Sequence, residues 1–246
     1  MKIVMKFGGT SVADIKKIKY VAKIIAAEKA KQNDIAVVVS AMGKTTNALT
    51  ALAHQITDKP NLRELDALLS TGENTSIALL ALALNAIGVK AESFNAWQLG
   101  IITNSEYGDA EIKRISGPLQ YMISHGPIPI IAGFQGVSDF RDITTLGREG
   151  SDTTAVAIAS EAKADFCDIY TDVDGIYDSD PNVNKDAKKL DFINYDDMLK
   201  MAQSGAKVLH PRSIMTAKQN NIPIRLRGTF TPNDVGTLVA NTRIKQ

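Results

Sequence analysis

A lysine, two adjacent glycines and two hydroxyl residues follow the first apolar run of the chain, in the order Lys6-Phe-Gly-Gly-Thr-Ser-Val12. Ile3-Val4-Met5 reads as a buried strand. Gly8 and Gly9 let the backbone turn tightly and approach a ligand, and a helix is expected from about Val12. Backbone N–H groups at a helix N-terminus beside a lysine suit a bound phosphate. This is not a Walker A loop, which needs Gly-x4-Gly-Lys-Ser/Thr. Gly43-Lys44-Thr45 imitates the end of one, but Val38 stands where its first glycine belongs.

Five further segments carry groups capable of chemistry. Ser40-Ala-Met-Gly-Lys-Thr-Thr-Asn47 again follows an apolar strand. Ser70-Thr-Gly-Glu73 is expected to open a helix, where Ser70-x-x-Glu73 also fits a capping box. Gly133-Phe134-Gln-Gly136 leads to Leu146-Gly-Arg-Glu-Gly-Ser-Asp152, which opens the next helix. Tyr170-Thr-Asp-Val-Asp-Gly-Ile-Tyr177 precedes Asp180-Pro181, and Ser204-Gly-Ala-Lys-Val-Leu-His-Pro211 comes near the end. Asp172 and Asp174 suggest either a metal pair or, more simply, a tight turn. Arg148, taken singly, reads as a surface charge as readily as a ligand, and Lys207 alone reads as solvated surface. His54, His125 and His210 lack zinc-ligand spacing, and His210 before Pro211 reads as structural.

These segments sit between alternating strands and helices. Strands are expected at Ile35–Val39, Ile128–Ala132, Phe166–Tyr170 and Ile222–Leu226. Ile15, Ile18, Val21 and Ile25 mark a helix over Val12–Lys31, and further helices are expected over Thr75–Ile87, Ser151–Ala162, Tyr195–Gln203 and Ser213–Asn220. The alternation argues for an α/β fold with a mainly parallel sheet. Gly133–Gly150 is a long loop or hairpin, and a shift near residue 164 divides the chain into two lobes without a linker.

With 246 residues, 28 basic and 27 acidic side chains, the net charge is +1, which argues against nucleic acid or an anionic membrane as the main partner. Cys167 is the one cysteine, so no intrachain disulfide and no thiolate cluster can form. No signal peptide is visible, and the Thr75–Ile87 helix is too short to span a bilayer. A soluble, cytoplasmic protein is expected.

In this order the segments resemble the catalytic domain of the aspartate kinases, within the amino acid kinase family, from Lys6 to about Val239. Lys-Phe-Gly-Gly-Thr-Ser-Val together with Gly-Ala-Lys-Val-Leu-His-Pro is the specific part of the likeness. The resemblance implies a three-layer α/β/α sandwich as one catalytic domain over 1–246, with an amino-acid lobe over about 1–164 and a nucleotide lobe over about 165–246. It implies transfer of the ATP γ-phosphoryl group to the β-carboxylate of L-aspartate. Thr46, Glu73, Phe134, Arg148 and Ser151 would hold aspartate. Lys6, Gly8, Gly9, Ser40, Asp152, Thr171, Asp172, Tyr177 and Lys207 would hold or organise ATP, with Lys6, Asp152 and Lys207 at the chemical step. Mg²⁺ would accompany ATP, bound chiefly by phosphates and water. A homodimer is implied.

The chain also departs from the family pattern. Glu149 stands where a glycine is usual, and Asn182 stands where an arginine usually follows Asp-Pro, with Lys185 as a possible replacement. A left-handed backbone at residue 149 would be costly for glutamate. The regulatory ACT domains usual in aspartate kinases are not in this sequence. The expectation is therefore a catalytic unit insensitive by itself to lysine and threonine, with a separate regulatory chain possible. The alternatives are an amino acid kinase of other specificity or a non-catalytic sensor of amino acid and nucleotide.

Overall fold

The computed structural model describes residues 1–179, 183–205 and 208–244. The first third of the chain holds β1 (Lys2–Phe7), α1 (Ile15–Ala30), β2 (Asp34–Val39), α2 (Thr45–Ile56) and α3 (Leu62–Ala86). The middle holds β3 (Ala91–Phe94), α4 (Ala96–Leu99), β4 (Ile101–Thr103), β5 (Ile112–Ile115), α5 (Leu119–His125), β6 (Ile128–Ala132), β7 (Gln135–Ser138), β8 (Ile143–Thr145) and α6 (Gly150–Ala162). The last part holds β9 (Phe166–Thr171), β10 (Ile176–Tyr177), β11 (Lys189–Leu190), β12 (Phe192–Ile193), α7 (Tyr195–Gln203), α8 (Pro211–Asn220), β13 (Ile224–Gly228) and β14 (Thr237–Val239).

Eight strands form the central sheet in the order β12-β14-β13-β9-β1-β2-β6-β3. All neighbours run parallel except β13 with β14. Strand alternation sends Ile3, Met5 and Phe7 to the face covered by α1 and α3, where they meet Ile18, Val21, Ile25, Ile77, Leu80 and Leu84. Val4, Ala36, Val38, Cys167 and Ile169 face the other side, covered by α5, α6, α7 and α8. This is the expected α/β/α sandwich. Because β1 pairs directly with β9, the segments before and after residue 164 share one sheet. A smaller sheet, β5-β4-β7-β8, carries the hairpin expected within 133–150.

Two expected helix starts are corrected. α1 begins at Ile15, not Val12, because Asp14 is the N-cap and accepts a hydrogen bond from Lys17 N; Ser11 is turned away to a 2.6 Å bond with Thr229. α3 begins at Leu62, capped by Asn61, so Ser70-Thr-Gly-Glu73 lies inside a 25-residue helix. Glu73 therefore has no capping role. Gly72 is tolerated there because a Cβ would come within 2.9 Å of Ala41 Cβ; the glycine lets α3 close onto the segment after β2. α3 is also long and apolar enough to cross a membrane by length and composition. Its buried face, which includes Asp66 and Glu73, packs into the protein.

The parallel strands β1, β2, β6, β9 and β13 all end on one edge of the sheet. In open α/β sheets, ligands bind in the crevice outside those carboxyl ends. Most of the segments singled out by chemistry follow these strands or begin the helices beside them, and Ser70–Glu73 lies within α3.

Candidate active site

Lys6 is the penultimate residue of β1, and its side chain points with Val4 toward the α6 face. There it meets Asp152 in the first turn of α6, with Nζ 2.5 Å from Oδ1 and both side chains largely buried. A carboxylate in the first helical turn is itself favoured by the helix dipole. The pair thus fixes a cation at the sheet edge.

Beyond β1 the backbone turns under tight constraint. Gly8 N donates to Tyr170 O at 3.3 Å, so this amide is occupied. The amides of Gly9 and Thr10 make no hydrogen bond to another described residue and remain for an anion. Gly43 N donates to Gly9 O at 3.0 Å, and a Cβ on Gly9 would lie 2.8 Å from Ala41 O. The glycines thus let the turns after β1 and β2 close on each other. The half-buried Ser40 is held by its amide on Phe7 O at 3.1 Å. The expected phosphate cradle is corrected in one respect: its amides belong to a turn that precedes the helix, not to the helix terminus.

Glu73 reaches this edge from α3. It is buried, Oε1 accepts the Ala41 amide at 3.0 Å, and Oε2 has no partner among the described residues. Burial pushes its carboxyl up to about 7, against the lowering effect of the Ala41 amide. Thr46 sits half-buried in the first turn of α2, whose N-terminus has no side-chain cap.

Further residues reach this edge from the hairpin and α6. Phe134 adopts φ +69° and is pinned by Thr154 Oγ1, which accepts its amide at 3.1 Å, and by Leu146 N, which donates to its carbonyl at 2.8 Å. Ser151 is buried against Gly133, where a Cβ would lie 2.8 Å from Ser151 Oγ. Arg148 is exposed and makes no ion pair with another described residue. Glu149 takes the left-handed conformation at φ +53°, ψ +26° and makes no side-chain cap for α6.

On the other side, Thr171 Oγ1 donates to Asp172 Oδ1 at 3.1 Å, and Tyr177 OH donates to Asp174 Oδ1 at 3.0 Å. Asp174 is thereby engaged in its turn. Lys185 is exposed, whereas Lys189 is held by Asp234 at 2.5 Å and Asp174 at 3.6 Å. Lys207 and Asn182 lie outside the described residues. His210 caps α8, its Nδ1 accepting Arg212 N at 3.3 Å.

Two polar residues of this region escape the motifs. Asp66, on the same face of α3 as Glu73, accepts Gly108 N, Thr145 N and Thr145 Oγ1 at 2.9, 2.8 and 2.7 Å. Its spacing from Glu73 would have revealed it had the helix been read back to Asn61. Arg212 donates to Leu146 O, Ala110 O and Asp109, and no local pattern points to those partners. Among the described residues no cluster of three or more His, Cys, Asp or Glu could cage a metal.

Residues 1–228 match the amino acid kinase family. The chain belongs to that family. It is 51% identical over 238 residues to an aspartokinase of Geobacillus stearothermophilus, covering 96% of this chain and 58% of that protein. It is 50% identical to aspartokinase 2 of Bacillus subtilis, with the same coverage. The chain therefore spans little more than half the length of these curated relatives. Among solved structures, aspartate kinase from Synechocystis superposes with a TM-score of 0.90 at 44% identity, over 100% of this chain and 40% of that one. E. coli aspartokinase III in complex with aspartate and ADP gives a TM-score of 0.85 at 29% identity, over 100% and 66%. In this member of the amino acid kinase family, the Lys6–Asp152 pair and the Gly8–Gly9 turn lie within the matched segment.

Proposed function

We propose that the chain is an aspartate kinase that transfers the γ-phosphoryl group of ATP to the β-carboxylate of L-aspartate, giving 4-phospho-L-aspartate and ADP. The observation that carries this reading is Glu73: a buried carboxylate with one oxygen on the Ala41 amide and the other unpartnered. Leaving a buried carboxylate oxygen unpaired is costly, and the α-ammonium of an amino acid would relieve that cost. The exposed Arg148, with its planar fork, suits the α-carboxylate, and Phe134, Ser151 and Thr46 complete the pocket. The identity to aspartokinases and the aspartate- and ADP-bound relative support the same substrates.

The side chain of aspartate, with a pKa of ~3.9, is already the nucleophile at neutral pH, so no general base is needed. A carboxylate oxygen forms the bond to the γ-phosphorus as the bridging P–O bond to ADP breaks. The work of the site is to bring two anions together and to stabilise the charge on the transferring group. Lys6, oriented by Asp152, supplies the cation, and the Gly9 and Thr10 amides add donors. Thr171, Asp172 and Tyr177 lie toward the nucleotide, with Lys207 as the second cation. Mg²⁺, carried on the phosphates, would offset part of their charge.

The amino-acid lobe (about 1–164), the nucleotide lobe (about 165–246), the cytoplasmic setting, the homodimer and a role in lysine, threonine and methionine biosynthesis follow from this same reading. The test is ADP release from MgATP with and without L-aspartate, followed by hydroxylamine trapping of the acyl phosphate. Aspartate-dependent release with hydroxamate formation supports the reading. Release with glutamate, carbamate or UMP in place of aspartate overturns it, as does binding of both ligands without turnover.

A further inference from the structure

The segment that carries Arg148 is held from the opposite half of the chain. Arg212 is the second residue of α8, and its guanidinium Nη1 donates to Leu146 O at 3.1 Å and to Ala110 O at 3.4 Å, while Nη2 reaches Asp109 Oδ1 at 2.9 Å. Leu146 and Ala110 are buried, so their carbonyls have little water to turn to. The two acceptors belong to segments that are already joined, since Ala110 N donates to Thr145 O at 2.8 Å. Arg212 therefore closes the open end of a zipped pair of segments whose other end is tied by Asp66 on α3. Arg148 projects from just beyond that closure, where Gly147 at φ +73° turns the chain outward.

We propose that Arg212 is a positioning residue for amino-acid binding: through the Leu146 and Ala110 carbonyls it fixes the backbone from which Arg148 reaches the substrate. The proposal rests on the reading of Arg148 as a carboxylate ligand. It makes the α8 side of the molecule, which follows Lys207 in sequence, the support for the amino-acid side. The carbonyl bonds matter here, and the Asp109 contact does not, because Asp109 is mostly exposed and an exposed ion pair contributes little. A lysine at 212 could reach one carbonyl but not both with the geometry of a fork.

The test is hydrogen exchange of the free protein over 144–150, compared among wild type, Arg212→Gln, Arg212→Lys and Asp109→Asn, with steady-state kinetics alongside. Arg212→Gln is expected to speed exchange over 144–150 at least tenfold while β9 and α1 keep their protection. Its KM for aspartate is expected to rise about tenfold or more, with kcat and the KM for ATP within a few-fold of wild type. Arg212→Lys should recover part of both effects, and Asp109→Asn should match wild type. Unchanged exchange over 144–150, or a uniform loss of protection throughout the protein, overturns the proposal whether or not the protein phosphorylates aspartate. If wild type has no turnover, the aspartate Kd takes the place of KM: a rise of about tenfold in Arg212→Gln keeps the positioning role and the reaction assigned above is the part that fails, whereas an unchanged Kd overturns the role.

Discussion

Glu73 Oε1 takes the Ala41 amide at 3.0 Å while the buried Oε2 has nothing to accept from among the described residues. In the free protein this carboxyl holds its proton up to about 7. The unfolded carboxyl, at ~4.3, loses its proton well below that. Between those values the folded state binds more protons than the unfolded state, so stability falls as pH rises through the window from about 4 to about 7 and is flat above it. Glu73→Gln removes the slope. Thermal melts from pH 4 to 8 should show the variant gaining on wild type across that window, by on the order of 3 kcal/mol at the upper end. Aspartate binding should be lost in the same variant. In wild type near pH 6.5, aspartate binding should release protons, seen as a dependence of the calorimetric heat on buffer ionisation enthalpy, because the arriving ammonium favours the charged carboxylate.

The Lys6–Asp152 pair lends itself to separating stability from catalysis. Lys6→Met strands a buried carboxylate and should cost about 3–5 kcal/mol in urea unfolding. Adding Asp152→Leu should return most of that stability. Turnover should remain down by at least a hundredfold in both, since neither restores the cation. Recovery of activity in the double variant would remove Lys6 from the chemical step.

Arg148 should behave in the opposite way. It is exposed with no internal partner, so Arg148→Ala should leave stability within about 0.5 kcal/mol of wild type. The aspartate requirement should rise far more than the ATP requirement. Initial-rate kinetics with each substrate varied in turn decide this; a larger effect on ATP would misplace the residue.

Glu149 occupies a left-handed backbone without any compensating cap bond. Glu149→Gly should stabilise by about 1 kcal/mol and raise the melting temperature by roughly 2–4 °C, whereas Glu149→Ala should not. Calorimetric melts of the two variants make the comparison. Equal melting points would show that the backbone at 149 is unstrained.

How much of this was legible in the sequence depended on how local each determinant is. β1, β2, β6 and β9 are buried on both faces, so their unbroken apolar runs stood out, and β6 and α7 have the expected bounds. The short β3, β4 and β5 did not: β3 pairs with β6 and β4 with β7, both remote in sequence, and β5 is a four-residue edge strand on β4 with exposed inner residues. The start of α3 was misplaced because Ser70-x-x-Glu73 has the spacing of a cap; the true cap, Asn61, has the same spacing to Glu64 and stands directly after Pro60. That Lys6 and Asp152 belong to one site was implied by the family resemblance. The reach of Arg212 to Leu146 was not, since two carbonyls leave no signature in side-chain types.

Asp66 and Glu73 stand two turns apart on one straight run of α3, a spacing of about 10 Å along the axis. On the proposed reading, one anchors the arm that ends in Arg148 and the other receives the ammonium of the same small molecule. The helix then acts as a gauge set by its rise per residue. A substrate one methylene longer is expected to fit that gauge poorly, with Gly72, closed onto Ala41, holding α3 in its seat.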